Sequence, residues 1–410
     1  MNCRFCQNAL THEFVDLGSS PPSNSYLSKD RLNEPEVFYP LRVFVCEECF
    51  LVQIEEYKKA DEIFDQDYLY FSSFSQSWLE HSRRYVEMMC ERFGFGHTSQ
   101  VIEIASNDGY LLQYFRDKAV PVLGIEPTLS TARVAREKQI ETLTEFFGTA
   151  LAERLSGDGR QADLLLGNNV LAHVPDINDF VAGLAVALKP SGVITMEFPH
   201  LMQLVANNQF DTIYHEHFSY LSLYTVKRIF TAHGLDIFDV DELSTHGGSL
   251  RIYARHSGDL THETTPRVDA LLAKEKAAGL QSIDYYLNFQ PSVERIKYEL
   301  LSFLIEQKRA GKRVVAYGAA AKGNTLLNYC GVRRDLVEFV VDASPHKQGR
   351  FMPASHIPIV DETNIRANKP DYILILPWNI KQEILAQLSY ISEWGGQCVV
   401  SIPALQTFGN

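Results

Sequence analysis

Short apolar runs alternate with amphipathic segments through the middle of this 410-residue chain. The segment QSWLEHSRRYVEMMCERF (76–93) spaces its apolar residues as an amphipathic helix does. Strands are then predicted at VIEIA (101–105), PVLGIEP (121–127), ADLLLGNNVLAHVPD (162–176) and GVITMEFP (192–199), the last after a helix that ends at KPSG. Strands that alternate with helices form a parallel, doubly wound α/β sheet. Such sheets bind ligands at the carboxyl ends of their strands.

One helix, two strands and a charged connector follow. In YTVKRIFTAHG, Thr225 is predicted as the N-cap and Gly234 as the first residue beyond the helix. LDIFDV (235–240) and GSLRIYAR (248–255) have the pattern of strands. Residues 263–310 are charged, have a helical pattern and lack strand signals, which predicts a helical connector.

The C-terminal part shows the same order of strand, turn and helix. KRVVAYGAAAKGNTLLNY (312–329) predicts all three, and LVEFVVDASP, PDYILILPW and QCVVSIP predict further strands of a second, Rossmann-like α/β unit. The N-terminal part instead contains LGSSPPSNSYL (17–27), which predicts mostly loop. We therefore expect three domains, at 1–70, 71–285 (including the connector) and 286–410.

Four of the seven cysteines form two C-x2-C pairs, Cys3 with Cys6 and Cys46 with Cys49. An odd number of cysteines, without a secretory signal, argues against a disulfide framework. Two such pairs are typical of a structural zinc site, because four thiolates close a tetrahedral shell and leave no position for water. The alternative is four unrelated buried cysteines. The others, Cys90, Cys330 and Cys398, are predicted as core residues.

Composition and charge exclude several classes of protein. The chain is 45% hydrophobic and 22% charged, as globular proteins are, and not disordered, collagen-like or coiled-coil. Its formal charge of −13 gives no bulk attraction to nucleic acid or anionic lipid, so we expect neither partner. No run approaches the roughly 18 apolar residues of a membrane-spanning helix. We expect a cytoplasmic protein, and both a monomer and a dimer are compatible with the sequence.

The turn IASNDGYL separates two cofactor classes. A dinucleotide fold needs G-x-G-x-x-G so that the pyrophosphate can approach bare backbone, but this turn has only Gly109. S-adenosylmethionine has no phosphate and instead needs acidic groups for its ammonium and ribose hydroxyls, which Glu103, Asp108 and Glu126 supply. A nicotinamide cofactor and a turn with solvated acids are the alternatives. The full predicted donor-binding set is Glu103, Ser106, Asp108, Gly109, Glu126, Asn168 and Asn169.

FDTIYHEHFSYLSLY (210–224) is the densest cluster of polar and aromatic residues. Its H-x-H pair, His215 and His217, could bind a metal, but no third ligand is obvious nearby. A buried, hydrogen-bonded core histidine is the second interpretation. The third is acid–base chemistry, since an imidazole beside Glu216 and Tyr214 suits removal of a proton from carbon next to a carbonyl.

YGAAAKGN in the C-terminal unit permits two interpretations. It could be a dinucleotide turn with Asp342 as the ribose acid, although G-A-A-A-K-G is not G-x-G-x-x-G. A lysine and backbone amides at a helix start would instead suit a diphosphate. The predicted substrate-binding residues are Lys322, Asn324, Lys347 and Arg350, with a solvated basic turn as the alternative.

The order of motifs resembles a known family over essentially the whole chain. The motifs are CRFC…CEEC, EIASNDGYLL, GNNVLAHVPD, EFPH…YHEHFSYLS, THGGSLR and YGAAAKGNTLLNY…VVDASPHKQGR. They are similar to those of the S-adenosylmethionine-dependent sugar C-methyltransferases that act on nucleotide-linked 4-keto-6-deoxyhexoses. The C-3′-methyltransferases of branched deoxysugar pathways, such as those for tetronitrose and mycarose, are nearest in pattern.

The resemblance implies an architecture and a mechanism. It implies a zinc module, a class I (Rossmann-like) methyltransferase domain and a C-terminal α/β domain that helps to hold the sugar nucleotide. A base removes the C-3 proton, which the 4-keto group acidifies, and C-3 then accepts the methyl group. Positions matching the family motif imply His217 as the base, Glu216 as its partner, and Tyr214, Tyr68 and His173 as pocket residues. A nucleotide-sugar oxidoreductase and a non-catalytic zinc-containing binding protein remain as alternatives.

Overall fold

The computed structural model describes residues 1–57 and 71–409, and in them the strands form sheets of four, seven and six strands. The strands are β1 His12–Ser20, β2 Tyr39–Val45, β3 Val52–Ile54, β4 Val101–Ile104, β5 Val122–Ile125, β6 Thr142–Leu143, β7 Ala162–Asn168, β8 Leu188–Pro199, β9 Ser219–Tyr220, β10 Leu235–Leu243, β11 Ser249–His256, β12 Val314–Tyr317, β13 Val340–Val341, β14 Ile359–Val360, β15 Tyr372–Ile375, β16 Gln397–Val400 and β17 Gln406–Phe408. The α-helices are α1 Gln76–Phe93, α2 Leu112–Asp117, α3 Leu129–Glu137, α4 Thr149–Gly157, α5 Ile177–Ala187, α6 Leu201–Ala206, α7 Leu223–Ala232, α8 Pro266–Ala278, α9 Ile283–Leu287, α10 Gln290–Arg309, α11 Ala321–Cys330, α12 Thr363–Asn368 and α13 Lys381–Gln387.

The seven-stranded sheet confirms the doubly wound α/β prediction. Its order is β10-β11-β8-β7-β4-β5-β6, in which β6, β5, β4, β7 and β8 are parallel and β11 runs antiparallel to β8. The carboxyl ends of the five parallel strands therefore meet at one edge. Helix α1 has the predicted bounds, because Ser75 caps its start and Gly94 ends it in a left-handed conformation.

Two details of the central block differ from the sequence prediction. KPSG belongs to β8 and not to the helix before it, because the chain turns at Leu188 and pairs with Ala162. The N-cap of α7 is Ser222 and not Thr225: the Ser222 hydroxyl accepts the N–H of Thr225 at 3.2 Å. Gly234 follows this helix with φ +72°, as predicted.

The four-stranded sheet joins the N-terminal module to the centre of the chain. Strands β1, β2 and β3 are antiparallel, and β9 from the central block pairs with β3. Strand β1 extends to Ser20, so the proline- and serine-rich segment predicted as mostly loop begins as a strand with a bulge around Gly18, where φ is +75°. Residues 21–27 then form the predicted loop, apart from an isolated β-bridge at Leu27.

The six-stranded sheet, in the order β14-β13-β12-β15-β16-β17, is the predicted second α/β unit, and all of its strands except β17 are parallel.

The connector, residues 263–310, is helical, as predicted. It packs on the N-terminal sheet, where Phe14 stacks on Phe289 with ring centroids 4.7 Å apart. One hydrophobic core therefore includes both the N-terminal sheet and the C-terminal unit. The boundaries 1–70, 71–285 and 286–410 stay a prediction. Across the described ranges, no helix has both the length and the apolar character needed to cross a bilayer.

Candidate active site

A cleft of about 510 Å³ opens at the carboxyl edge of the central sheet. One wall consists of the ends of β4, β5 and β7. The facing wall combines a loop of the N-terminal module, the segment after β8 and the start of α11. Nine predicted site residues line it: Glu126, Asn168, Asn169, His173, Tyr214, Glu216, His217, Lys322 and Lys347. Tyr68 lies outside the described residues.

Several residues predicted to bind the donor shape the turn after β4 and do not line the cleft. Glu103 is fully buried within β4, and burial raises the pKa of its carboxyl well above the usual value. Asp108 accepts the N–H of Ser73 at 3.3 Å and lies 3.5 Å from the Lys138 ammonium. Ser106 is also fully buried.

Gly109 is required by the backbone of this turn. Its φ is +74°, and a β-carbon there would lie 2.5 Å from Cδ1 of Ile140. Ala105 and Asn107, both with positive φ, present the turn to the cleft, and sequence analysis did not identify either. The acidic pattern thus located the turn but not the residues that line it.

Glu126 is held at the end of β5 with its carboxylate facing the cleft. Its oxygens accept the N–H groups of Asn107 and Thr128, each at 2.9 Å. Burial nevertheless raises the pKa of this carboxyl. Because Glu126 lines the cleft, a ribose hydroxyl there could donate to this carboxylate.

The two asparagines at the end of β7, Asn168 and Asn169, offer unused polar groups. In the described part of the chain, the Asn168 amide nitrogen and the Asn169 carbonyl oxygen are buried without a hydrogen-bond partner. Because buried polar groups are normally paired, these two atoms indicate a ligand at this wall. The Asn169 nitrogen lies 3.1 Å from Nε2 of His246, which also lines the cleft. Together with Glu126, these groups fit S-adenosylmethionine.

Sequence analysis also missed the aromatic lining of this wall. Trp78 on α1 stacks on His81, with ring centroids 4.8 Å apart. Phe146 and Phe147 follow β6, a two-residue strand that carried too short a signal to be predicted. Because that strand was not predicted, nothing in the sequence marked these two residues as lying at a strand end.

His217 has the geometry of a general base. Its Nδ1 lies 2.9 Å from the carbonyl oxygen of Thr212. Because a carbonyl oxygen can only accept a hydrogen bond, Nδ1 carries the ring proton, and Nε2 of the neutral ring carries none. Burial, reinforced by the neighbouring His173, lowers its pKa well below the usual value. The ring is therefore neutral at pH 7, and its centroid lies 4.6 Å from that of His173 and 4.0 Å from that of Tyr214.

The neighbours of His217 are held by the backbone and by Asn24. His173 donates from Nδ1 to the Glu216 carbonyl at 2.8 Å, and burial lowers its pKa to about 4. The Glu216 carboxylate accepts from the Asn24 amide at 2.8 and 2.9 Å. The predicted action of Glu216 on His217 stays a prediction.

His215 points away from the cleft. Its Nε2 lies 3.2 Å from the Pro40 carbonyl, so the ring supports the loop. Within the described residues, the four predicted zinc cysteines form the single group of three or more His, Cys, Asp or Glu side chains close enough for one metal ion.

The C-terminal unit contributes two lysines to the cleft. Lys322 at the start of α11 donates to the Asn379 side chain at 2.8 Å and lies 4.8 Å from the centre of the Trp378 ring. Burial lowers its pKa. Lys347 donates to the Ala319 carbonyl at 2.8 Å.

The other two predicted substrate-binding residues lie elsewhere. Asn324 is fully buried behind the cleft and donates to the Ser23 carbonyl at 2.6 Å. Arg350 is half-buried outside the cleft lining.

The turn of the C-terminal unit does not fit a dinucleotide. A β-carbon on Gly318 would lie 2.5 Å from Pro377, and one on Gly323 would lie 2.7 Å from Leu376. The space beside these glycines is therefore filled by the segment that contains Leu376 and Pro377, and a pyrophosphate could not approach the backbone there. Asp342 accepts the N–H of Ser344 at 2.8 Å within its own loop.

The four sulfurs of the N-terminal module fit one zinc ion. They all lie within 4.8 Å of one another, and three pairs are separated by 3.5, 3.5 and 3.6 Å. A tetrahedral ion with Zn–S bonds of about 2.3 Å places its sulfurs about 3.8 Å apart. The Gln53 amide donates to the Cys3 sulfur at 3.2 Å, as outer-shell groups of zinc sites do. Since four thiolates would close the shell of a bound zinc ion, such an ion would be structural.

Comparison with known proteins gives matches over successive parts of the chain. Family models match residues 3–64 ("Putative zinc binding domain"), 78–240 ("Methyltransferase domain") and 244–403 ("C-methyltransferase C-terminal domain"). The C-methyltransferase NovU of Streptomyces niveus is 34% identical over 401 residues, which cover 98% of this chain and 95% of that protein.

Other matches are shorter or more distant. The ubiquinone biosynthesis O-methyltransferase of Bartonella quintana is 28% identical over 96 residues, 23% of this chain and 39% of its own length. The solved structure of an S-adenosylmethionine-dependent methyltransferase from Clostridium acetobutylicum is 11% identical, covers 44% of this chain and 92% of its own, and has a TM-score of 0.36. A likeness of that extent says nothing about substrate.

Proposed function

Because this chain belongs to the C-methyltransferase family, we propose that it methylates C-3 of a nucleoside-diphosphate 4-keto-6-deoxyhexose with S-adenosylmethionine. The product is a branched-chain deoxysugar. The observation that supports this proposal best is the neutral, buried His217, whose unprotonated nitrogen shares one cleft with both the predicted donor wall and two lysines.

The donor wall is the side formed by β4, β5 and β7. Glu126 would accept the ribose hydroxyls, and the unpaired groups of Asn168 and Asn169 would bind the remaining polar atoms of the donor. Bound S-adenosylmethionine supplies an electrophilic methyl group with a good leaving group. The chain does not need to activate it further, so the difficult step is to form and align the nucleophilic carbon.

C-3 of the sugar becomes nucleophilic when its proton is transferred to His217. The keto group acidifies the C-3 proton. The C–H bond breaks, an N–H bond forms at Nε2, and the electron pair moves into the enolate. Burial opposes the imidazolium that results, but the enolate beside it is negative and offsets this cost. The phenol of Tyr214, whose ring packs against His217, is the candidate donor to the enolate oxygen.

The lysines on the facing wall suit the diphosphate. Lys322 and Lys347 both line the cleft and come from the C-terminal unit, so a sugar between them and His217 would span the two halves of the site. This arrangement gives the C-terminal unit a role in binding without a cofactor of its own, in keeping with the filled turn at Gly318.

Mass spectrometry tests the proposal directly. The purified chain is incubated with S-adenosylmethionine and a panel of thymidine- and guanosine-diphosphate 4-keto-6-deoxyhexoses. We expect a product heavier by one methylene, and S-adenosylhomocysteine formed only when the keto sugar is present. Measurable donor binding without methylation of any keto sugar would contradict the proposed acceptor, and absence of donor binding would contradict the donor wall.

A further inference from the structure

Asn24 joins the N-terminal module to the proposed catalytic carboxylate. It lies in the loop 21–27 after β1, lines the cleft, and donates from its amide nitrogen to both oxygens of Glu216, at 2.8 and 2.9 Å. The carboxylate is 3% exposed, so this contact is shielded from bulk water. A neutral amide fixes the direction of the carboxylate and adds no charge to the site.

The loop that carries Asn24 is held from the C-terminal unit. Asn324 on α11 donates to the Ser23 carbonyl at 2.6 Å, and the next residue, Thr325, lies 3.3 Å from the Ser23 hydroxyl. The Tyr26 hydroxyl donates to the Ala319 carbonyl at 2.6 Å. The residues on both sides of Asn24, Ser23 and Tyr26, are therefore hydrogen-bonded to the segment around the start of α11.

The same helix also holds the segment that carries the base. The hydroxyl of Thr325 donates to the Ile213 carbonyl, immediately before Tyr214, at 2.9 Å. Two adjacent side chains of α11 thus fix the loop of Asn24 and the backbone that leads to His217. The main-chain carbonyl of Glu216 accepts from His173, so a displacement of the Glu216 main chain would also move a second histidine of the cleft.

We propose that Asn24 is a positioning residue, which orients the Glu216 carboxylate in the acceptor half of the site, and that the C-terminal unit sets its position through Asn324. Asn324, predicted from sequence as a substrate ligand, acts in this view through the loop. The inference rests on the proposed function, because Glu216 matters for catalysis only if His217 and its surroundings are the acceptor site.

The variants N24A and N24D separate positioning from a general structural role. N24A removes the donor, and we expect kcat to fall roughly 10- to 100-fold, as misplacement of a catalytic group does. The KM for S-adenosylmethionine and the melting temperature should change little. N288A and N288D, the same two substitutions in the exposed asparagine that follows α9, are the matched controls and should behave as wild type.

N24D adds a pH signature. Two carboxylates within hydrogen-bond distance share one proton, so the new carboxyl group can donate to Glu216 at low pH and repels it when both are ionised. Activity relative to wild type should recover as the pH falls for N24D, but not for N24A. The other titratable groups that line the cleft near this pair are His173, His217, Lys322 and Lys347, and Tyr26 lies beside it in the Asn24 loop.

A readout without substrate keeps this inference separate from the proposed function. In ¹⁵N-histidine NMR spectra, the Nδ1 resonance of His173, which reports its bond to the Glu216 carbonyl, should shift in N24A and not in N288A. An unchanged resonance, or a kcat of N24A within twofold of wild type, would overturn the role of Asn24. Failure of the wild type to methylate any keto sugar would instead refute the proposed function, and the NMR comparison would still test Asn24.

Discussion

The two walls of the cleft are built in different ways. The donor wall comes from one parallel sheet, and its residues lie at the ends of β4, β5 and β7, which neighbour one another by pairing. The acceptor wall is assembled from an N-terminal loop, the segment 212–217 and the start of α11. The donor wall can be located from one general property of parallel α/β sheets, which bind ligands at the carboxyl ends of their strands. The acceptor wall depends on contacts between parts of the chain that are hundreds of residues apart.

This difference predicts how the two walls fail. A change at the donor wall should weaken cofactor binding and leave the base intact. A change at the acceptor wall should reduce turnover and leave cofactor binding intact. The zinc module contacts both sides. Its strand β3 pairs with β9, which begins two residues after His217, and Cys3, Cys46 and Cys49 share a hydrophobic core with residues of β4 and β5.

The largest effect is expected from removal of a zinc ligand. C46S leaves three thiolates, and we expect loss of the metal and a marked fall in melting temperature, since structural zinc contributes about 10–16 kcal/mol to folding of small zinc domains. Metal analysis and calorimetry provide the measurement. C90S in α1 is the matched control and should retain about one zinc per chain. Full metal content in C46S would refute the four-cysteine site.

The next largest effect is expected at His217, the proposed base. H217N keeps a polar side chain but has no group that can accept a proton, so kcat should fall by about 10²- to 10⁴-fold. Calorimetric titration with S-adenosylhomocysteine should give an affinity close to that of the wild type. The control is H97N, in an exposed histidine outside the cleft. Loss of cofactor binding in a folded H217N would show that this histidine belongs to the donor wall.

Local patterns predicted the parts of the fold that local forces decide. Helix α1 repeats apolar residues between two capping signals, and its bounds were predicted without error. The cysteine pairs likewise identified a site because two residues on one knuckle must reach the same ion. By contrast, β9 has two residues and exists because it pairs with β3, more than 160 positions earlier, which no local pattern reveals.

The candidate site shows the same limit. Sequence position placed Glu103 at the first strand end, but all four residues of β4 are buried, so alternation of polar and apolar residues could not show which side chains reach the cleft. The partner of Glu216, Asn24, is 192 positions away in a segment whose composition indicated only a loop. Motif order identified the acidic residue, and tertiary packing supplied its hydrogen bond.

A smaller effect is expected at the donor wall. E126Q replaces one carboxylate oxygen by an amide that faces a backbone N–H, so one of the bonds from Asn107 and Thr128 is lost. The substitution also removes the charge from the group that is proposed to accept the ribose hydroxyls. Hydrogen bonds to charged groups contribute about 1.5–3 kcal/mol, so loss of one such bond to the donor should raise the Kd for S-adenosylhomocysteine roughly 10- to 100-fold. At saturating donor, kcat should change little. E141Q, on the exposed Glu141, is the control. A large fall in kcat with an unchanged Kd for S-adenosylhomocysteine would contradict the assignment of Glu126 to the donor wall.

The smallest effect concerns pH and follows from the burial of the acceptor wall. Burial lowers the pKa of His217 well below 6.5, and the base works only when neutral, so kcat/KM should stay flat from pH 8 to about 6.5 and fall only below it. Unfolding exposes His173 and His246, whose pKa values burial lowers to about 4, so the unfolded chain takes up more protons and stability also declines as pH falls from 6.5 towards 4. Rates must therefore be compared over the range in which the melting temperature is constant. A midpoint at or above pH 6.5 within that range would mean that a more exposed group, and not the buried imidazole, accepts the proton.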